Sequence, residues 1–120
     1  MPQTFKHAII ACHPEAKSFT LTVAERYAET VRSHGHEAVV RDLYRMRFNP
    51  VLKASERQGK PADDVAREWS RLGKPDIYVL VYPIWFGTPP AMLKGYIDRV
   101  FGAGRTRGKG GAGGVPNQIG

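Results

Sequence analysis

The chain has 120 residues, 42% apolar, 10% aromatic and 24% charged, a make-up that fits one ordinary globular domain and is not that of a chain disordered as a whole. Its one cysteine, Cys12, excludes an intrachain disulfide framework or multi-cysteine zinc site and fits a reducing, cytoplasmic compartment; Met1 to Cys12 lacks the pattern of a signal peptide, and no window holds the roughly 20 apolar residues of a membrane helix. Eighteen Lys and Arg against eleven Asp and Glu give +7, but no basic face interleaved with aromatics stands out, so nucleic acid is not the expected partner; a positive field equally favours a phosphate-bearing cofactor.

Phe5 to Cys12 (FKHAIIAC) is a short apolar run with β-branched residues, and its length predicts a buried strand. Ser18 then stands as an N-cap, and Leu21, Ala24, Tyr27, Ala28 and Val31 recur at helical spacing until Gly35. Glu37 to Leu43 (EAVVRDL) predicts a second strand, nearer the sheet edge because it carries more charge. Residues 44–60, with Asn49-Pro50 and Gly59-Lys60-Pro61, predict an irregular connection. A second helix runs from Ala62 to Leu72, with Val65, Trp69 and Leu72 on one face and a stop at Gly73-Lys74-Pro75.

Asp76 to Tyr82 (DIYVLVY) is nearly continuously apolar and predicts a third strand, the most buried, covered on both faces. Met92, Leu93, Tyr96, Ile97, Val100 and Phe101 then outline a third helix, with Lys94 and Asp98 on its polar side. Alternating strand and helix predicts an α/β fold: a parallel sheet with helices on both faces. From Gly102 onward eight of nineteen residues are Gly, which predicts a flexible end over residues 105–120.

Ligands of open parallel sheets bind beyond the carboxyl ends of the strands. The first loop there, His13 to Thr20 (HPEAKSFT), leads into a helix start, where free N–H groups favour a phosphate and Lys17 and His13 add charge or a hydrogen bond; equally it is an ordinary turn with a capping serine. The second, Pro83 to Pro90 (PIWFGTPP), puts Trp85 and Phe86 beside Gly87, which suits either a flat aromatic ligand or a core plug.

With HPEAKSFT, RDLYRMRFNPVL (Arg41 to Leu52) and YPIWFGTPPAMLKGYIDRVF (Tyr82 to Phe101), the chain resembles the flavodoxin-like NAD(P)H:quinone oxidoreductases. The resemblance covers most of residues 5–104 and implies a flavodoxin-like flavin-binding domain over 1–104, its three strands in the order 2-1-3. It implies a flavin, FAD or FMN, that takes two electrons from NAD(P)H and passes them to a quinone. Carried over by position, His13, Lys17, Ser18 and Phe19 belong to a phosphate loop, and Pro83, Ile84, Trp85, Phe86 and Gly87 to a platform for the flavin ring. A homodimer is also implied, but no catalytic residue. Members of this family continue with two further strands, so the chain reads as a partial domain whose third strand has an unpaired edge that invites association. The alternative is a non-catalytic or truncated flavodoxin-like module, a regulatory ancillary subunit included.

Other features carry less. Gly108, Gly110 and Gly113 spell G-x-G-x-x-G but neither follow a strand nor open a helix. His34 and His36 flank Gly35 at a helix end, as a solvated pair or partners of the helix dipole, and His7 reads as a strand residue. Cys12 reads as a small packed thiol, and Asp42, Asp63, Asp64 and Asp98 as solvated surface carboxylates. No Ser-His-Asp or metal-ligand constellation is spelled out, so no metal is expected.

Overall fold

The computed structural model describes residues 3–102. In chain order they form β1 (Lys6–Ala11), α1 (Phe19–Ser33), β2 (Glu37–Asp42), α2 (Ala54–Arg57), α3 (Asp63–Leu72), β3 (Ile77–Val81), α4 (Ala91–Tyr96) and a π-helical segment, Ile97–Gly102. They fall into two compact units, residues 3–48 with 72–90 and residues 49–71 with 91–102. The Gly-rich segment 105–120 lies outside the described residues, and with it the motif at Gly108, Gly110 and Gly113.

The first unit contains a three-stranded parallel sheet in the order β2-β1-β3, as the sequence predicts. Ile9 lies between Val40 and Val79 in register, and Ala11 pairs with Asp42 and Val81. Because side chains alternate along a strand, Ile9 and Ala11 share one face with Ala38, Val40, Val79 and Val81, and α1 covers it with Leu21, Ala24, Tyr27 and Ala28. Ala8 and Ile10, on the opposite face of β1, are also fully buried. Burying a side chain such as Ile9 contributes about 1.5–3 kcal/mol.

The helix α1 starts where the sequence places it. Ser18 is extended, and its hydroxyl accepts from the Leu21 N–H at 3.2 Å. Gly35, at φ +83°, ends the helix in a conformation that side chains rarely adopt. The His34 ring Nδ1 lies 2.9 Å from the Thr30 carbonyl, a helix-end partner, while His36 accepts from the Phe5 N–H at 3.0 Å and His7 Nδ1 meets the Tyr27 hydroxyl at 2.9 Å.

Three expectations about the elements need correction. β3 is not the most buried strand: Ile77 and Leu80 are exposed, whereas the last four residues of β1 are all buried. The reason is position. Among the described residues β3 pairs with β1 alone, so its apolar run is that of an edge, not of a covered centre. Residues 44–60 are not wholly irregular, because α2 is a single turn closed by Glu56, whose carboxylate accepts from the Lys53 N–H at 2.8 Å. The third helix is not one α-helix: its geometry widens to π at Ile97, although Lys94 and Asp98 still pair at 2.7 Å.

The second unit is built around a buried cation. Arg99 is 1% exposed, and its Nε donates to Glu56 at 3.0 Å while its two terminal nitrogens donate to Asp64 at 2.8 Å each. The Asn49 carbonyl accepts a further bond at 2.7 Å. Asp64 is therefore more than the solvated surface carboxylate expected: its side chain keeps partial exposure but is ion-paired, and the Arg99 hydrogen bonds hold its carboxyl below the ordinary value and hold Arg99 above its own. Nearby, the Tyr96 hydroxyl donates to the buried Glu68 at 2.6 Å and the Trp69 indole to the Val100 carbonyl at 3.0 Å. Gly95 is required here, since a Cβ would collide with Pro50.

Candidate functional site

Adjacent parallel strands deliver their following loops to the same edge of the sheet. Pairing of β1 with β3 runs to Ala11 and Val81 and is extended by the Cys12 N–H, which donates to the Val81 carbonyl at 3.0 Å. From β1 the chain turns to β2 on one side, and later to β3 on the other, so the edge between β1 and β3 is where strand order reverses. Both loops singled out in the sequence leave from that point.

In the first loop, His13 is partly buried and Pro14 to Lys17 are exposed. The His13 ring Nδ1 accepts from the Glu15 N–H at 3.0 Å, so this imidazole is engaged in shaping its own loop. Ser18 caps α1, and the N–H groups of Phe19 and Thr20 have no acceptor among the described residues. Lys17 and Phe19 stand exposed beside them, Phe19 at 84%. The capped turn and the anion-favouring helix start, opposed readings in the sequence, are thus the same object: the serine fills one donor and leaves two open.

In the second loop, Pro83 is partly buried, and Ile84, Trp85, Phe86 and Gly87 are exposed. Trp85 and Thr88 exchange both backbone hydrogen bonds at 2.9 Å, closing a two-residue turn. Its central residues, Phe86 and Gly87, have φ of +52° and +76°. Gly accepts this geometry without strain, whereas Phe does not, and the Phe86 ring is wholly in solvent. These aromatics are therefore not core plugs. Edge-on contact joins the two loops, with the His13 and Trp85 ring centroids 6.4 Å apart.

The arrangement gathers two kinds of surface: open N–H donors with a lysine, and a strained turn that holds apolar rings in water. An elongated ligand with an anionic end and a flat aromatic end fits both. Cys12, at the base of the first loop, is fully buried. Asp42 is engaged with Arg45, a residue the sequence reading did not single out: its guanidinium donates to the carbonyls of His13 and of Pro14. Among the described residues no helix is long and apolar enough to cross a membrane.

A family model described as a flavodoxin-like fold matches residues 6–118. The chain is 39% identical over 103 residues to a protein of Haemophilus influenzae named as an uncharacterized NAD(P)H oxidoreductase, covering 82% of this chain and 51% of that protein. It is 31% identical over 118 residues to NAD(P)H dehydrogenase [quinone] 1 of Rattus norvegicus, covering 80% of this chain and 43% of the relative. Among solved structures, an NAD(P)H:quinone oxidoreductase from Methanothermobacter marburgensis superposes with a TM-score of 0.74 at 36% identity, covering 85% of this chain and 55% of that one. The chain thus spans about half the length of the relatives it matches. With the sheet order, the switch point and the family model in agreement, the chain belongs to the flavodoxin-like NAD(P)H:quinone oxidoreductase family.

Proposed function

We propose that this chain is the flavin-binding part, residues 1–104, of an enzyme that moves two electrons from NAD(P)H to a quinone. The observation that carries the reading is the convergence of the two loops at the β1–β3 edge, one offering anion donors and the other exposed rings. A flavin, when bound, supplies the electron-transfer chemistry. The residues present fit such a group. Lys17, Ser18 and Phe19 at the start of α1, with His13 shaping the loop before them, would hold its phosphate, FAD and FMN alike. Pro83 to Gly87 would hold its ring, with Ile84, Trp85 and Phe86 covering apolar surface that is otherwise left in water.

What the chain itself contributes is positioning. The two-residue turn fixes the backbone at Trp85 to Thr88, and with it the Cα–Cβ directions of Trp85 and Phe86, before any ligand arrives, so little backbone freedom is lost on binding. The relatives' names support NAD(P)H as donor and a quinone as acceptor. A homodimer in the cytoplasm completes the proposal, and sedimentation with and without flavin tests the dimer. The test of function is spectroscopic: the chain loaded with FAD or FMN and freed of excess is mixed with NADH or NADPH, then with a quinone. Bleaching of the visible band followed by its recovery is expected. A retained flavin that neither donor bleaches would leave a binding module and no oxidoreductase.

A further inference from the structure

Arg45 lies in the turn after β2, and its side chain is held at both ends. At the stem, Nε lies 3.3 Å from each oxygen of Asp42, and its own backbone N–H also faces Asp42 at 3.3 Å. The turn is anchored in turn by the Met46 N–H on the Asp42 carbonyl at 2.9 Å and the Phe48 N–H on the fully buried Leu43 at 3.0 Å. At the tip, Nη1 donates to the Pro14 carbonyl at 3.0 Å and Nη2 to the His13 carbonyl. A planar fork that bonds two successive carbonyls while its stem is pinned is a geometry that the guanidinium supplies and an ammonium does not.

The loop it grips has little else to order it. Pro14 to Lys17 are exposed, so apolar burial does not fix them, and ordering each of them costs backbone entropy that something else must offset. Because the peptide unit is planar, holding the Pro14 carbonyl also fixes the direction of the Glu15 N–H, which meets His13 Nδ1. The negative ends of two carbonyl dipoles are thereby satisfied by a cation instead of standing unpaired in a loop that would receive an anion.

We infer that Arg45 is a positioning residue that preorganises residues 13–17 for a phosphate-bearing ligand, acting through the loop's carbonyls and not through contact with the ligand. The inference rests on the phosphate-loop reading above. Its test uses Arg45→Ala and Arg45→Lys in the 120-residue chain, with FMN and riboflavin, which share a ring and differ in the phosphate, as probes. Arg45→Ala should weaken FMN binding about tenfold or more and leave riboflavin within about twofold. Arg45→Lys, which keeps the charge but not the fork, should lose nearly as much. Wild-type affinity in the Lys variant would mean that charge alone acts, and equal losses for both probes would mean a general structural role; either overturns the inference. Amide exchange supplies a readout independent of flavin: Glu15 should exchange about tenfold faster in Arg45→Ala while the centre of α1 is unchanged. Unchanged protection at Glu15 refutes the staple even if the chain binds no flavin. Absence of FMN binding to the wild-type chain with faster Glu15 exchange in Arg45→Ala would instead refute the flavin reading and its phosphate role, leaving only the carbonyl staple.

Discussion

The loops at the β1–β3 edge and the Arg99 cluster of the second unit break opposite rules. Around Arg99, two opposite charges, the guanidinium and Glu56, are buried, and both are answered: Glu56, the partly exposed Asp64 and a backbone carbonyl surround the guanidinium. At the loops, apolar groups are exposed and unanswered, with Phe19 and Phe86 in solvent and Phe86 on a left-handed backbone that a bulky residue rarely adopts. A satisfied buried charge is explained by the stability and specificity of its own unit. An exposed ring on a strained turn is not explained by folding, so it points to a ligand.

The contrast breaks most visibly at Arg99. Replacing it with Ala leaves Glu56 buried without its cation, and the expected loss is about 3–5 kcal/mol of stability, read as a drop in the urea midpoint. A loss below about 1 kcal/mol would mean that the cluster is incidental. The double replacement Trp85→Ala with Phe86→Ala should do the reverse: flavin affinity falls about tenfold or more while the urea midpoint scarcely moves. Unchanged affinity would remove the ring platform.

A smaller effect sharpens the role of strain. Phe86→Gly relieves the left-handed backbone, at φ +52°, and should raise stability by up to about 1 kcal/mol while weakening flavin binding. Loss of stability in that variant would show that the ring has a folding role. Acid titration probes the other region. Asp64 is held below its ordinary value of 3.8 first of all by the Arg99 hydrogen bonds. A depressed carboxyl contributes stability that is fully present above the unfolded value and is lost as pH falls through the folded one. Stability should therefore decline below about pH 4, and Asp64→Asn should flatten that decline.

How much of this was legible in the sequence depends on how local its cause is. α1 and its cap were readable because Ser18, the apolar spacing and Gly35 act within one helix. β1 and the order 2-1-3 followed from alternation and from the resemblance, and the site loops from their position after strands one and three. The burial of β3 was misread because an apolar run does not say which strand is central. α2 was missed because one turn has no periodicity, and the π geometry because Val100 and Phe101 suit either winding. Asp64 and Arg45 act on partners far along the chain, Arg99 and His13 respectively, and no local pattern reports them.

The proposed function requires one flavin to bridge the loops after β1 and β3. Amide and indole signals of the ¹⁵N-labelled chain, followed during titration with FMN, test it most directly. Saturable shifts are expected at residues 13–19 and 84–88, including the Trp85 indole, with residues 54–71 unmoved. A folded chain whose shifts fall elsewhere, or that shows none, contradicts it.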